Sequence, residues 1–346
     1  SLSFLQTPAF FILLFVLSVC ISYVLNGAVR SVYLKAGRIE QINERDSHQV
    51  RKVTRSGGVA LFLSLVFTLF AVSLFYPVYS NQVFWISLLL IFITGLWDDL
   101  FALSFKQKLL VQVVVGLIIT QSGYMINSFH GVFGLDVLPY WASLLVSLAV
   151  FVIVVNAMNL IDGIDGLASL VFSLFLGLMG ILFWSAAPGL FVMVPIILGI
   201  LLAFMHYNIS VRKKIFLGDS GSLLLGALMS FMLFWLLDKD TQVATDQIIN
   251  RGYLSVVMLI YPLSDTFRVF ILRIRDGRSP FSADRWHLHH RLIDRGFTHF
   301  FASLMVVFIT FLLLTLNLLW YQSLGFWGSM TATLGLIVLV YYALFD

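Results

Sequence analysis

Eleven long apolar runs dominate this sequence and limit what it can fold into. Each is close to the 20 residues that a helix needs to cross a bilayer, and they cover approximately residues 8–29, 58–76, 83–100, 108–125, 139–160, 167–186, 189–208, 221–238, 253–272, 301–320 and 325–344. Only 11% of the residues are charged, whereas soluble domains carry about 25%. Because lipid cannot satisfy backbone polar groups, spans of this length must be helical. We predict an all-α, polytopic integral membrane protein with about 11 transmembrane helices in a single domain, residues 1–346.

The first apolar run leads directly into a basic loop, and no small-residue cleavage site separates the two. We therefore expect a retained helix rather than a removed signal peptide. The single cysteine, Cys20, lies inside this run, which excludes an internal disulfide and a cysteine-based zinc finger.

The basic residues predict how the chain crosses the membrane. Of its 21 lysines and arginines, 19 lie in loops 30–57, 98–108, 209–218 and 268–300. All four loops follow odd-numbered spans, and Lys and Arg gather on the cytoplasmic side of membrane proteins. The N-terminus is therefore expected outside and the C-terminus in the cytoplasm.

Acidic residues near the membrane are concentrated on the same predicted face. Six lie at or near cytoplasmic span ends, namely Asp98, Asp99, Asp162, Asp165, Asp219 and Asp265. A charge at the centre of a membrane helix costs about 2.5–3.5 kcal/mol, so this concentration calls for a functional reason. Mixed charge on one face favours a binding site for a multiply charged ligand and a metal ion. We place it in the loops of approximately residues 30–57, 98–108, 160–167, 209–220 and 273–300.

Two aspartate pairs carry most of this signal. Asp98 and Asp99 end the third span in G-L-W-D-D-L, and at a frayed helix end both can approach one cation, for which oxygen ligands suit Mg²⁺ or Mn²⁺. Asp162 and Asp165 stand in N-A-M-N-L-I-D-G-I-D-G-L-A, residues 156–168. The glycine after each of them favours a loop over a long regular helix. For Asp98 and Asp99 alone, a solvated helix end is the simpler explanation. For Asp162 and Asp165 the alternative is an interfacial turn, which two aspartates, two asparagines and two glycines within eleven residues of apolar sequence make less attractive.

Two further stretches add groups that suit phosphate. K-K-I-F-L-G-D-S-G-S, residues 213–222, can turn backbone N–H groups toward a phosphate where the eighth span begins, although it is not a Walker A motif. S-P-F-S-A-D-R-W-H-L-H-H-R-L, residues 279–292, holds His287, His289 and His290. With no cysteine nearby, a zinc site is less favoured than a phosphate clamp that includes Arg285. A solvated basic loop remains the alternative.

No single motif identifies the function, but all of them are predicted on one face of the membrane. Several like charges in a small space repel strongly unless a cation lies among them. Carboxylates for Mg²⁺ beside bases for phosphates are the recurring composition of phosphoryl-transfer sites.

The same motifs resemble those of the polyprenyl-phosphate N-acetylhexosamine-1-phosphate transferases, and they occur in the same order along nearly the whole chain. The resemblance runs from Arg55–Gly58 through D-D-L, N-L-I-D-G-I-D-G-L, I-F-L-G-D-S-G-S and P-L-S-D-T to D-R-W-H-L-H-H. The H-L-H-H form after S-P-F-S-A-D-R is similar to the WecA type, which uses UDP-N-acetylglucosamine. The type that uses UDP-N-acetylmuramoyl-pentapeptide has three consecutive histidines instead.

The resemblance implies a role for each motif. Asp219 would be the main Mg²⁺ ligand, with Asp98 and Asp99 beside the metal and the lipid phosphate and one of them acting as base. Asp162 and Asp165 would line the nucleotide-sugar site. The resemblance also implies substrate contacts from Asn156, Asn159, Phe216 (against uracil), Lys108, Arg55 and Arg285, and from His287, His289 and His290, the last of these counted among the catalytic residues.

We therefore expect Mg²⁺-dependent transfer of N-acetylglucosamine-1-phosphate from its UDP donor to undecaprenyl phosphate, with release of UMP. This would be the first membrane step of a cell-surface glycan pathway, at the cytoplasmic face of a bacterial inner membrane. Another UDP-N-acetylhexosamine donor is the main alternative. A transporter of anionic solutes would need charged sites near the middle of the bilayer, and a scaffold would leave the paired carboxylates unexplained. No nucleic-acid partner is expected, and a homodimer is left open.

Overall fold

Helices make up most of the chain, as the apolar runs predict. The computed structural model describes residues 7–43, 50–75, 81–241, 249–279 and 285–345, so parts of the predicted loops 30–57 and 273–300 lie outside it. The helices are α1 (Pro8–Lys35), α2 (Gly57–Ser73), α3 (Gln82–Phe101), α4 (Phe105–Gln121), α5 (Tyr140–Ile161), α6 (Leu167–Phe183), α7 (Pro188–Phe191), α8 (Met193–Asn208), α9 (Gly218–Leu236), α10 (Arg251–Met258), α11 (Ile260–Arg275), α12 (Leu288–Asp294) and α13 (His299–Phe345).

Several of these helices are long and apolar enough to cross a membrane. Within the described ranges, five pass by length and composition, namely α1, α3, α5, α9 and α13, and the bent pair α10–α11 makes six if it counts as one span. The apolar helices α2, α6 and α8 are shorter. The chain is therefore an all-α membrane protein, and the number of 11 spans stays a prediction.

The predicted span 253–272 is bent rather than straight. Helices α10 and α11 meet at Leu259 with an angle of 65° between them. Pro262 lies in the first turn of α11, where its missing N–H costs nothing but where its ring prevents a continuous helix from the preceding turn. The hydropathy of the run could not reveal this bend.

The predicted spans 301–320 and 325–344 both fall within α13, which reverses direction at Gly325. That residue has non-helical angles, φ 64° and ψ −171°. The Thr333 hydroxyl donates to Asn317 Oδ1 at 2.8 Å, whereas 16 residues of straight helix would separate them by about 24 Å. The two predicted spans are thus antiparallel helical segments.

A small antiparallel hairpin departs from the all-α prediction. Strands β1 (Glu40–Asn43) and β2 (Val50–Val53) pair with Glu40 opposite Val53, and they form the one sheet in the described part of the chain. Thr54 extends β2 and pairs with Ile215 in an isolated parallel bridge. This bridge ties the chain before α2 to the chain before α9.

Two compact units divide the chain. The first comprises residues 1–104 and 176–225, and the second comprises residues 105–175 and 226–346. In the first, α1 packs along α8 through a stripe of buried small polar residues at four-residue spacing, Ser18, Ser22 and Asn26. The Ser22 hydroxyl donates to the carbonyl of Ile200 at 3.3 Å and Asn26 Nδ2 donates to the carbonyl of Ser22 at 2.8 Å. Asn26 Oδ1 is buried without a hydrogen-bond partner among the described residues. In the second, α4 packs on α5 and α11 packs on α5.

Candidate active site

In the first unit, the carboxylate of Asp99 holds the start of α9. It accepts hydrogen bonds from the N–H groups of Asp219 at 2.8 Å and Ser220 at 3.0 Å, and from the Ser220 hydroxyl at 2.7 Å. A negative group at this end of a helix is favoured by the unpaired amides and the helix dipole. These two N–H groups, which the loop sequence predicts as phosphate ligands, donate to Asp99 instead.

Glycines let the two helices approach this closely. Gly218 begins α9 with φ +73°, and a Cβ there would lie 2.7 Å from Asp99 Oδ2. A Cβ on Gly95 of α3 would lie 2.5 Å from both the carbonyl oxygen of Asp219 and the Cα of Ser220. Real Cβ atoms do not come this near to backbone, so Gly95 fixes the depth at which the Asp219 segment sits against α3.

Asp98 and Asp99 make different contacts although they are adjacent. Asp98 Oδ1 accepts from the N–H of Leu103 at 2.5 Å. Helix α3 continues through both residues and ends at Phe101. The predicted frayed helix end is therefore not found at Asp98 and Asp99. Each carboxylate is thereby oriented by a contact of its own.

The oxygen-only donor set of the first unit fits Mg²⁺. In the described ranges, no group of three or more His, Cys, Asp or Glu side chains is arranged to hold a metal ion by itself. Mg²⁺ commonly binds through one or two carboxylates and completes its shell with water and substrate phosphates. Asp98, Asp99 and Asp219 suit that mode, whereas a structural zinc site needs a closed set of four protein ligands.

The other predicted residues of this unit lie close to Asp219 in the chain or just after strand β2. Phe216 is half-buried, with the Lys214 ammonium 5.8 Å from the centre of its ring. The main chain of Phe216 is fixed on both sides, because its N–H donates to Thr54 and its carbonyl accepts from Gly57. Arg55 is paired with Glu40, and both side chains are partly exposed.

In the second unit, Asp162 and Asp165 lie in a turn rather than in a helix, as their glycines predict. Asp162 ends α5, and Gly166 has φ +77° just before α6. The turn is held by the start of α13, where the Ser303 hydroxyl donates to the carbonyl of Asp165 at 2.8 Å. His299 Nδ1 lies 3.9 Å from Asp165 Oδ2.

The predicted histidine loop packs directly against this turn. A Cβ on Gly163 would lie 2.5 Å from His289 Nε2. The rings of His287 and His289 are stacked with 5.5 Å between their centres, and those of His289 and His290 are 4.3 Å apart. The second unit thus brings together two motifs that are more than 120 residues apart in the sequence.

His289 is fully buried and uncharged at neutral pH. Its Nδ1 lies 3.4 Å from the Tyr261 hydroxyl. Burial is the main cause that lowers the pKa of His289 to about 3, and the neighbouring His290 lowers it further while Asp265 opposes the shift. A neutral, buried imidazole cannot act as a cationic clamp for phosphate, so its contribution at neutral pH is to packing and hydrogen bonding.

This burial predicts how stability depends on pH. An unfolded histidine titrates near pH 6.5, so below that pH the unfolded chain binds a proton that the folded chain does not. Stability should therefore fall as the pH drops from about 6.5 toward 3. We expect the melting temperature of the detergent-solubilised protein to decrease between pH 7 and pH 5, and His289→Asn to flatten that decrease. The exposed His206 provides the control His206→Asn, and equal pH slopes in the two variants would contradict the assignment.

The remaining predicted residues of the second unit have different surroundings. Asn156 and Gln112 exchange hydrogen bonds of 2.6 and 3.4 Å, and Asn159 is half-buried near the end of α5. Arg285 forms an exposed ion pair with Asp294 at 2.8 Å. Lys108 is half-buried in α4 and His290 is half-buried in α12. Burial is also the main cause that lowers the pKa of His290.

The fold adds residues that the motifs do not single out. Asp265, one of six acids in the sequence analysis, accepts from His287 Nδ1 at 2.8 Å. The Tyr341 hydroxyl reaches the same carboxylate at 3.5 Å, although it lies near the end of the last apolar run. His299 and Ser303 support the Asp165 turn from the start of α13. Their roles depend on contacts between distant segments, for which the sequence carries no local signal.

Comparison with known proteins agrees with these motifs. A profile of glycosyl transferase family 4 matches residues 81–236. The undecaprenyl-phosphate alpha-N-acetylglucosaminyl 1-phosphate transferase of Salmonella typhi is 31% identical over 78% of this chain and 72% of its own length. The enzyme of the same name from Escherichia coli K12 is 30% identical over 84% and 78%. The decaprenyl-phosphate N-acetylglucosaminephosphotransferase of Mycolicibacterium smegmatis is 30% identical over 83% and 76%.

Proposed function

Since this chain belongs to the polyprenyl-phosphate N-acetylhexosamine-1-phosphate transferases, the family of these relatives, we propose that it transfers N-acetylglucosamine-1-phosphate from UDP-N-acetylglucosamine to undecaprenyl phosphate. The observation that carries the proposal is the identity of 30–31%, over more than 70% of the relatives' length, with enzymes named for this transfer. The products are UMP and an undecaprenyl-diphosphate-linked sugar.

The reaction is a displacement at phosphorus. An oxygen of the lipid phosphate bonds to the phosphorus that carries the sugar, and the bond from that phosphorus to the UMP oxygen breaks, so that UMP leaves with the electron pair. Asp98 or Asp99 keeps the lipid phosphate deprotonated for the attack. An aspartyl-phosphate intermediate would require two such displacements instead of one.

Asp219, with Asp98 and Asp99, holds Mg²⁺ in this proposal, and Mn²⁺ is the alternative cation. When bound, the cation neutralises charge that develops on the leaving phosphate. Asp99 supports this assignment because its three hydrogen bonds fix the position of the Asp219 main chain. The protein supplies the site mainly by holding carboxylates in place before substrate arrives.

The family resemblance assigns the contacts to the nucleotide sugar in this proposal. Phe216 stacks on uracil, a role for which its fixed main chain suits it. Asp162 and Asp165 accept hydrogen bonds from the donor, and the turn that carries them is held by α13. Polar contacts to the sugar or to phosphate come from Asn156, Asn159, Lys108, Arg55, Arg285, His287 and His290. His289, which the resemblance also implies as a contact, is fully buried and supports the loop through packing instead.

An apolar cavity in the second unit supports a lipid acceptor. It measures about 290 Å³ and lies between α5, α9, α10 and α11. Its lining includes Ile153, Leu233, Val256 and Phe267. Leu233 lies 14 residues after Asp219 in α9, about 21 Å along the helix, so we assign to this cavity a segment of the acceptor tail beyond its first isoprene units. Burial of apolar surface stabilises such a chain by about 25 cal/mol per Å².

We also propose the orientation that the basic loops predict, with 11 spans, the N-terminus outside and the active site at the cytoplasmic face of a bacterial inner membrane. The distribution of 19 of 21 lysines and arginines supports it. UDP-sugars and UMP would then bind from the cytoplasm.

A panel of donors tests the reaction and the sugar together. Purified protein would be mixed with undecaprenyl phosphate, Mg²⁺ and one of UDP-N-acetylglucosamine, UDP-N-acetylgalactosamine or UDP-N-acetylmuramoyl-pentapeptide, and UMP release would be measured. We expect release with UDP-N-acetylglucosamine and dependence on the lipid phosphate. Preference for another donor would overturn the sugar assignment. Absence of UMP release with all three donors would overturn the proposed reaction.

A further inference from the structure

Asp265 is a fully buried carboxylate with no role among those assigned above. It lies in α11, where its relative exposure is 0%. Both of its oxygens are engaged by the histidine loop, since Oδ2 lies 2.8 Å from His287 Nδ1 and Oδ1 accepts from the N–H of Leu288 at 3.0 Å. One carboxylate therefore holds both the ring of His287 and the main chain that follows it.

The surroundings of Asp265 compensate its charge. Arg268 Nη2 lies 3.5 Å from Asp265 Oδ1, and the Arg268 guanidinium also donates to the carbonyl of Trp286, the residue before His287. The Tyr341 hydroxyl donates to Asp265 Oδ1 at 3.5 Å. A buried carboxylate with this many partners keeps its geometry, because the loss of any partner would leave a desolvated charge.

The contact with Asp265 determines which nitrogen of His287 can meet a ligand. An ionised carboxylate only accepts hydrogen bonds, so Nδ1 of His287 carries a proton. In a neutral ring the proton is then absent from Nε2, and Nε2 is the nitrogen left to face a substrate. The side chain of His287 is only 5% exposed, so the ring has little freedom to turn over.

We propose that Asp265 is a positioning residue that acts through His287, by fixing the tautomer and the orientation of the ring that the proposed function places against the donor substrate. This inference rests on the proposed function, because His287 matters only if it contacts the sugar or the pyrophosphate. Carboxylates that orient a functional histidine typically change activity about 10- to 100-fold when they are substituted.

A double-mutant cycle separates positioning from general stability. Asp265→Asn keeps the size of the side chain and an acceptor for Leu288, but its amide group can donate to Nδ1 and thereby favour the other tautomer. We expect it to lower kcat about 10- to 100-fold, with a smaller change in KM. In a His287→Ala background the same substitution should change turnover less than about twofold, because the ring through which it acts is gone.

The variant His287→Asn tests the same role even if Asp265→Asn fails to fold. In His287→Asn, the amide nitrogen replaces Nδ1 and can still donate to Asp265, but no group replaces Nε2. We expect this variant to melt like the wild type and to lose turnover as His287→Ala does. Thr266→Val is the matched control on the same helix, since the buried Thr266 hydroxyl has no hydrogen-bond partner among the described residues and valine has the same shape, and it should retain wild-type turnover.

The outcomes are distinct. Equal losses from Asp265→Asn in both backgrounds, or full activity of His287→Asn, would overturn the positioning role while wild-type transfer continued. Absence of UMP release by the wild type with every donor would overturn the proposed function, and the inference with it.

Discussion

Substitution of Asp219 by Asn should abolish transfer at every Mg²⁺ concentration. The variant keeps the shape of the side chain but removes the negative charge that holds the cation and orients the donor phosphates. The loss of several kcal/mol of transition-state stabilisation corresponds to about a thousandfold or more in rate. Mass action can refill a weakened site, but it cannot restore the missing charge, so added Mg²⁺ should not rescue turnover.

We expect Asp219→Asn to remove the charge without disturbing the fold. Asp219 bonds to Asp99 through its main-chain N–H, so the start of α9 keeps that anchor in the variant. The melting temperature should therefore stay near that of the wild type. Asp240→Asn, at an exposed carboxylate after α9, is the control and should remain active. Wild-type-like UMP release by Asp219→Asn would refute the metal assignment.

Substitution of Gly95 by Ala should have the second largest effect. Its Cβ would lie within 2.6 Å of three backbone atoms of Asp219 and Ser220, and backbone cannot move aside as a flexible side chain can. Helices α3 and α9 would have to separate, which overpacking data put at about 1–3 kcal/mol. The movement would also displace Asp219 from Asp99, and a displacement of about 1 Å can cost about 100-fold in rate.

Gly177→Ala provides the matched control for this prediction. Gly177 also lies within a helix, α6, and belongs to the first unit, but nothing is within 4 Å of the Cβ that alanine would add. Alanine favours helix by about 1 kcal/mol over glycine, so this variant should be as stable as the wild type and fully active. UMP release and melting temperature would be measured for both variants. Equal activity of the two would show that α3 and α9 can separate without cost.

The pattern of the sequence was sufficient for the class of fold and for most helical segments. Apolar runs of about 20 residues become helices because lipid offers no partner for backbone groups, and the described helices follow them closely. The turn at Asp162 and Asp165 was predictable because glycine after each aspartate favours a loop. The bend at Leu259 and the hairpin of β1 and β2 were not, since hydropathy does not register local backbone geometry.

The candidate residues could be named in advance, but their contacts could not. Asp98 and Asp99 are neighbours in the sequence, yet one carboxylate bonds within its own helix end and the other reaches the start of α9. His287 and His289 look alike in the motif H-L-H-H. In the folded chain, the first bonds to a carboxylate, whereas burial keeps the second uncharged at neutral pH.

The sequence by itself determined that this is a helical membrane protein, and its motifs identify its family. Those properties depend on composition and on residues close together in the chain. Only the tertiary structure decided that Asp99 anchors the Asp219 segment and that Asp265 holds His287. Each of these carboxylates is buried against main-chain and side-chain donors from another segment of the chain, and only folding brings those donors within hydrogen-bonding distance.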